Sequence, residues 1–238
     1  MVNKPSNTVV IAGLSDAIAL AIARRLAAQG DSIALLGGEA LKLAPVLGNE
    51  GARVEVLHAD VSDRWAVHEA IMQAEQQLGS IKRLICGVPV PALSQVSPVS
   101  VTTFADWSAQ VEAPLVRVLS VCQGALPRLT CCKGAILFFL SDRVAIGLRD
   151  GAAYAAGQSA LYSFVKCLAR ECAPAGVRVN AVATGAIPLR KQAQAAAKAA
   201  TRDVEQPEEL AALADFLLSE RASYITGQLV QPHKSGRA

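Results

Sequence analysis

Short apolar runs alternate with longer segments whose apolar residues return at helical spacing along nearly the whole chain. The runs predict strands near 8–12, 32–36, 53–58, 83–86, 134–140, 177–182 and 228–231. The periodic segments predict helices near 16–29, 39–48, 63–78, 104–130, 151–173 and 207–219. Runs such as Ala135-Ile136-Leu137-Phe138-Phe139-Leu140 are apolar at every position, as strands covered on both faces must be. Strand and helix in strict alternation imply parallel strands joined by right-handed crossovers. The expected fold is therefore α/β, a Rossmann-like doubly wound sheet of seven parallel strands with helices on both faces.

Length and composition agree with that reading. The 238 residues suit one domain, 1–238, with a sizeable core. Residues 187–206, rich in Ala, Lys and Gln, are expected to form a mobile flap. Net charge is only +3 and no aromatic-plus-basic stripe is present, which argues against nucleic acid. No apolar run approaches the ~20 residues of a membrane span, and no signal peptide precedes the first strand. A cytoplasmic protein is expected. Cys86, Cys122, Cys131, Cys132, Cys167 and Cys172 contain no C-x-x-C pair and read as mostly buried thiols. His58, His68 and His233 lack metal-ligand spacing, so no metal is expected.

Candidate chemistry centres on Ser141 and, thirteen residues later, Tyr154 on the first turn of a helix. Residue i+4 of such a helix lies on the same face one turn on. A lysine there would lower the phenol pKa and make it a usable acid or base. The residue is Gln158, which carries no charge.

Taken in order, Val10-Ile11-Ala12-Gly13-Leu14-Ser15, Ala59-Asp60-Val61, Ser141 with Tyr154, Arg178-Val179-Asn180-Ala181-Val182 and Tyr224-Ile225-Thr226-Gly227-Gln228 resemble the short-chain dehydrogenase/reductase family, close to its ketoacyl-reductase-like members. The resemblance implies an NAD(P)-dependent oxidoreductase fold, with Ser141 holding a substrate oxygen and Tyr154 transferring the proton. It also shows what has been replaced. Against the family's T-G-x-x-x-G-x-G, only Gly13 remains, and the later glycines are Ala17 and Ala19.

Asp16 falls at the helix start, where a diphosphate would sit. Two unit charges ~5 Å apart at an effective dielectric of ~20 repel by roughly 3 kcal/mol. Asp16 is therefore expected to close the site to cofactor, although by itself it reads equally as a helix cap. Leu35-Leu36-Gly37-Gly38 supplies no ribose or phosphate selector. Asp60, which the resemblance places by the adenine, reads equally as a helix-start residue. Cys86-Gly87-Val88-Pro89 stands where the family has N-N-A-G. The relay Asn falls at Pro114, which removes a backbone donor and would kink a helix interior. Leu189 replaces the Thr that would hold the nicotinamide amide, and Thr184 stands at the Pro of the same motif.

A second Y-x-x-x-K, Tyr162 to Lys166, lies eight residues beyond the expected register, ~12 Å along a helix. It reads as coincidence, with Lys166 on the surface. Arg190, Lys191, Lys198 and Arg202 read as a solvated helix face rather than an acyl-CoA phosphate site. Without its cation Tyr154 is a poor base at neutral pH.

Together these changes imply vestigial Ser141 and Tyr154 and no bound cofactor. The apolar patterning near 104–130 and 151–173, which builds a four-helix interface in the family, is intact. The expected role is a non-catalytic subunit paired with an active paralogue that binds NAD, in a heterodimer or heterotetramer. Heteromeric dehydrogenases of this family acting on hydroxyacyl-CoA substrates offer the parallel. An active oxidoreductase with rearranged residues and a metabolite sensor using the vacated cleft are the alternatives.

Overall fold

The structure, a computed structural model, describes residues 7–14, 16–37, 42–88, 97–141, 150–184 and 206–232. Seven strands form one parallel sheet: β1 (Thr8–Ala12), β2 (Ser32–Leu36), β3 (Val54–Leu57), β4 (Ile81–Gly87), β5 (Ala135–Ser141), β6 (Arg178–Thr184) and β7 (Leu229–Val230). Their order is β3-β2-β1-β4-β5-β6-β7. The chain winds outward from β1 in one direction and from β4 in the other, so a topological switch point lies between them. The expected doubly wound sheet is present, with strand boundaries close to those read from the apolar runs.

The helices are α1 (Asp16–Ala27), α2 (Ala44–Asn49), α3 (Arg64–Leu78), α4 (Phe104–Trp107), α5 (Ala113–Cys132), α6 (Ala152–Cys172) and α7 (Pro207–Leu218). Alternate strand residues feed two cores. Val10, Leu84, Phe138 and Val179 face α3, α5 and α6, while Ile11, Ile33, Leu137 and Phe139 face α1, α2 and α7. The central runs of β1, β2 and β5 are apolar and buried at successive positions because both their faces are covered.

Several polar residues serve this frame. Asp63 caps α3 by accepting from the backbone N–H groups of Trp65 at 2.8 Å and Ala66 at 3.3 Å. Arg178 donates to the carbonyls of Leu217 at 2.6 Å, Ser219 at 3.0 Å and Ala222 at 3.2 Å, and so satisfies the carboxyl end of α7. The Asn180 amide donates to Ile225 O at 2.8 Å and accepts from Gln228 N at 3.1 Å, which docks the last strand. The Arg-Val-Asn stretch is therefore structural here.

One long helix was expected over 104–130. Instead α4 passes through a π-helical turn at Ser108–Glu112 before α5 begins. Pro114 then follows as the second residue of α5, with helical backbone continuous from the π turn through Glu112 and Ala113. The irregularity expected at the proline takes the form of this π turn, which ends two residues before Pro114. The cysteines also divide differently: Cys86, Cys122 and Cys172 are buried, but Cys131 and Cys167 are exposed and Cys132 is intermediate. Both exposed thiols lie on the outward sides of α5 and α6. Among the described residues no helix is long and apolar enough to cross a membrane, and no cluster of metal-ligating side chains occurs.

Candidate functional site

The carboxyl ends of β1 and β4 meet at the switch point. Gly13 holds φ +65°, and a Cβ there would lie 2.4 Å from the Gly87 carbonyl oxygen. A Cβ on Gly87 would lie 2.6 Å from the Gly13 carbonyl oxygen in return. Both positions need glycine. The cavity here measures about 60 Å3 and is walled by Val61, Cys86, Val88, Pro114 and Val121. Typical ligand pockets run to about 300–1,000 Å3. A larger space of about 660 Å3 is an open groove between α1 and α7; Ala17 lines it, and Ser141 and Tyr154 do not.

Asp16 is the first residue of α1, and its side chain lies outside the described residues. Ala19 is buried against the sheet, whereas Ala17 is exposed. Asp60 sits on the surface, where Oδ1 accepts from the Ser62 backbone N–H at 2.9 Å and the Ser62 hydroxyl at 2.6 Å. These bonds, the hydroxyl first, hold its carboxyl below the usual range. Asp60 therefore closes a local Asx turn, and Asp63 is the residue that caps α3. Pro89, Leu189, Arg190, Lys191, Lys198 and Arg202 lie outside the described residues, as do 187–205 of the expected flap and His233.

The sequence brings Ser141 and Tyr154 to adjoining elements, the last residue of β5 and the first turn of α6. Both are interior, at 2% and 3% exposure. Gln158 is 2% exposed as well, and its Oε1 accepts the Ser141 backbone N–H at 3.1 Å. One turn further along α6, the Tyr162 hydroxyl donates to the Ser141 carbonyl oxygen. Two side chains at i and i+4 thus grip both backbone polar groups of the final strand residue.

A lysine has no acceptor, so the ammonium expected at position 158 could not make the Gln158 bond. Tyr162 is the residue that sequence reasoning missed. Its tyrosine is used structurally, while Lys166 is exposed as expected. The available signal was the four-residue step from Gln158 on one helix face.

Behind this face α6 meets the π turn. A Cβ on Gly157 would lie 2.6 Å from the Gln110 carbonyl oxygen and 3.2 Å from Val111 Cα. Glycine therefore sets the close approach of the two elements beside Tyr154 and Gln158. Thr184, at the end of β6, pairs with Ser141 and donates at 3.4 Å to the Leu140 carbonyl.

These elements in this order, around a switch point and a Ser–Tyr pair, define the class. The family model described as enoyl-(acyl carrier protein) reductase matches residues 13–232, and the chain belongs to the short-chain dehydrogenase/reductase family. It is 31% identical to the uncharacterized oxidoreductase YmfI of Bacillus subtilis, covering 94% of this chain and 96% of that one. It is 26% identical to the (2S)-[(R)-hydroxy(phenyl)methyl]succinyl-CoA dehydrogenase subunit BbsC of Thauera aromatica, covering 95% and 92%. The fold matches the apo structure of a Pseudomonas aeruginosa PAO1 short chain oxidoreductase "containing an atypical catalytic center", with TM-score 0.85, 23% identity and 98% of each chain covered.

Proposed function

We propose that this chain is a non-catalytic subunit of an NAD-dependent dehydrogenase, packed against an active paralogue through α5 and α6. The observation that supports this most is the engagement of Gln158. It stands where the family carries its lysine, and its amide oxygen is committed to the Ser141 N–H. The buried Tyr154 phenol, the replaced glycines Ala17 and Ala19, and Pro114 in place of the relay Asn point the same way. On this reading the chain binds no cofactor, and NAD is held by the partner. The likeness to subunit BbsC offers one concrete model, a heteromer acting on a hydroxyacyl-CoA such as 2-[hydroxy(phenyl)methyl]succinyl-CoA.

Co-expression with an active short-chain dehydrogenase/reductase paralogue from the same genome tests this reading. The two chains are expected to purify as one complex. Its NAD-dependent rate should survive Tyr154→Phe in this chain and vanish when the partner's tyrosine is changed. A rate that collapses with Tyr154→Phe would overturn it. That result belongs to the second reading, an active oxidoreductase with rearranged residues. The second reading is favoured by the placing of Ser141 at the end of β5 and of Tyr154 on the first turn of α6, and by the oxidoreductase names of the relatives.

A further inference from the structure

Outside the switch point, the helices α3 and α5 run side by side and frame a second cleft. Where they meet, a Cβ on Gly124 would lie 2.9 Å from Ile71 Cδ1 and 3.2 Å from Val67 Cγ1, so glycine leaves those two side chains undisturbed. One helical turn toward the start of α3 the cleft measures about 150 Å3 and is lined by Arg64, Trp65, His68, Gln123 and Gly124. A cavity of about 150 Å3 accommodates one benzene ring.

The lining chemistry is specific. Trp65 is 65% exposed, a large apolar surface to leave in water. The Arg64 guanidinium lies 4.6 Å from its ring centroid. The Asp63 cap bond to Trp65 N fixes the backbone beneath the ring and keeps that carboxylate occupied. Arg64, His68 and Gln123 offer N–H donors, and none of the described residues lining the cleft is a carboxylate. An aromatic surface, a ring-sized space and a lining of N–H donors suit one kind of ligand.

We propose that this cleft binds a ring-sized aromatic carboxylate, whose ring lies against Trp65 and whose carboxylate is met by Arg64 and His68. The inference is independent of whether the Ser141 site is catalytic. A ligand here would bridge α3 to α5, and α5 carries the surface through which the subunit is proposed to assemble.

The chain has two tryptophans, so Trp107→Phe leaves Trp65 as the sole indole reporter. Titrating that full-length variant with sodium benzoate should give saturable quenching. Cyclohexanecarboxylate and benzyl alcohol, lacking the aromatic ring or the charge, should bind at least about tenfold more weakly. Arg64→Ala with His68→Ala, both on the helix surface, should weaken benzoate about tenfold or more while the melting curve is retained. Quenching that rises linearly without saturation, or saturation unchanged in the double variant, would overturn the proposal. Equal binding of the three probes would overturn it too.

Discussion

Restoring the family's lysine is the most informative perturbation. In Gln158→Lys the Ser141 N–H loses its acceptor, and leaving a buried donor unpaired costs about 1–3 kcal/mol. The new ammonium must also enter a site that is 2% exposed. Desolvating a charge there costs several kcal/mol unless the group gives up its proton. The two effects sum to about 4 kcal/mol, which for a domain of this size lowers Tm by ~8–16 °C. Differential scanning calorimetry reads that shift directly, and NADH oxidation with ketoacyl substrates reads any recovered chemistry. The expected result is an unstable variant without turnover. Gln158→Glu, which keeps a carboxyl oxygen opposite Ser141 N, should fall less at acidic pH than Gln158→Lys. A Gln158→Lys protein that melts with the parent and oxidises NADH would refute the reasoning, because the surroundings would then already be built for a cation.

Three further outcomes follow from the same geometry. Gly157→Ala forces a methyl to within 2.6 Å of the Gln110 carbonyl and should cost about 1–3 kcal/mol by urea denaturation; no loss would mean that the π turn yields freely. Tyr162→Phe removes the donor to Ser141 O and should cost roughly 1 kcal/mol, with hydrogen exchange accelerated at the end of β5. Asp106 accepts from the Thr103 hydroxyl and backbone N–H, bonds that hold its carboxyl below the usual range. A depressed folded pKa contributes stability that is present above the unfolded value and lost as pH falls through the folded one. Trp107 fluorescence should therefore report α4 loosening only below about pH 3.9, and a transition well above that pH would contradict a role for the Asp106–Thr103 bonds.

The fold was legible because its strands are apolar on both faces and its helices on one. Val9 to Ala12 or Ile136 to Leu140 can only be interior strands, and the order of such runs dictates the sheet. The site was legible as a set of losses: Gln158 for a lysine, Pro114 for an Asn, alanines for glycines. What replaced them was not legible. Sequence shows that Gln158 lacks charge, but its amide finds a backbone N–H seventeen residues away, which only the packing of α6 on β5 decides. Tyr162 was set aside because its lysine fell out of register, yet the tyrosine alone has the reach to grip Ser141. Asp60 and the π turn were hidden for a similar reason. A two-residue Asx turn and one extra residue in a helical turn leave little trace in apolar periodicity. Cys131 and Cys167 misled because they fall within the apolar-periodic segments that become α5 and α6, while their own positions are exposed.

Cofactor binding tests the central claim most directly. Calorimetric titration of the purified chain with NADH and NADPH is expected to show no binding at millimolar cofactor, and the same chain in complex with an active paralogue should gain one site per partner. Micromolar binding to the isolated chain, abolished by a bulky substitution at Gly13, would contradict the account and return Tyr154 to the centre of a working active site.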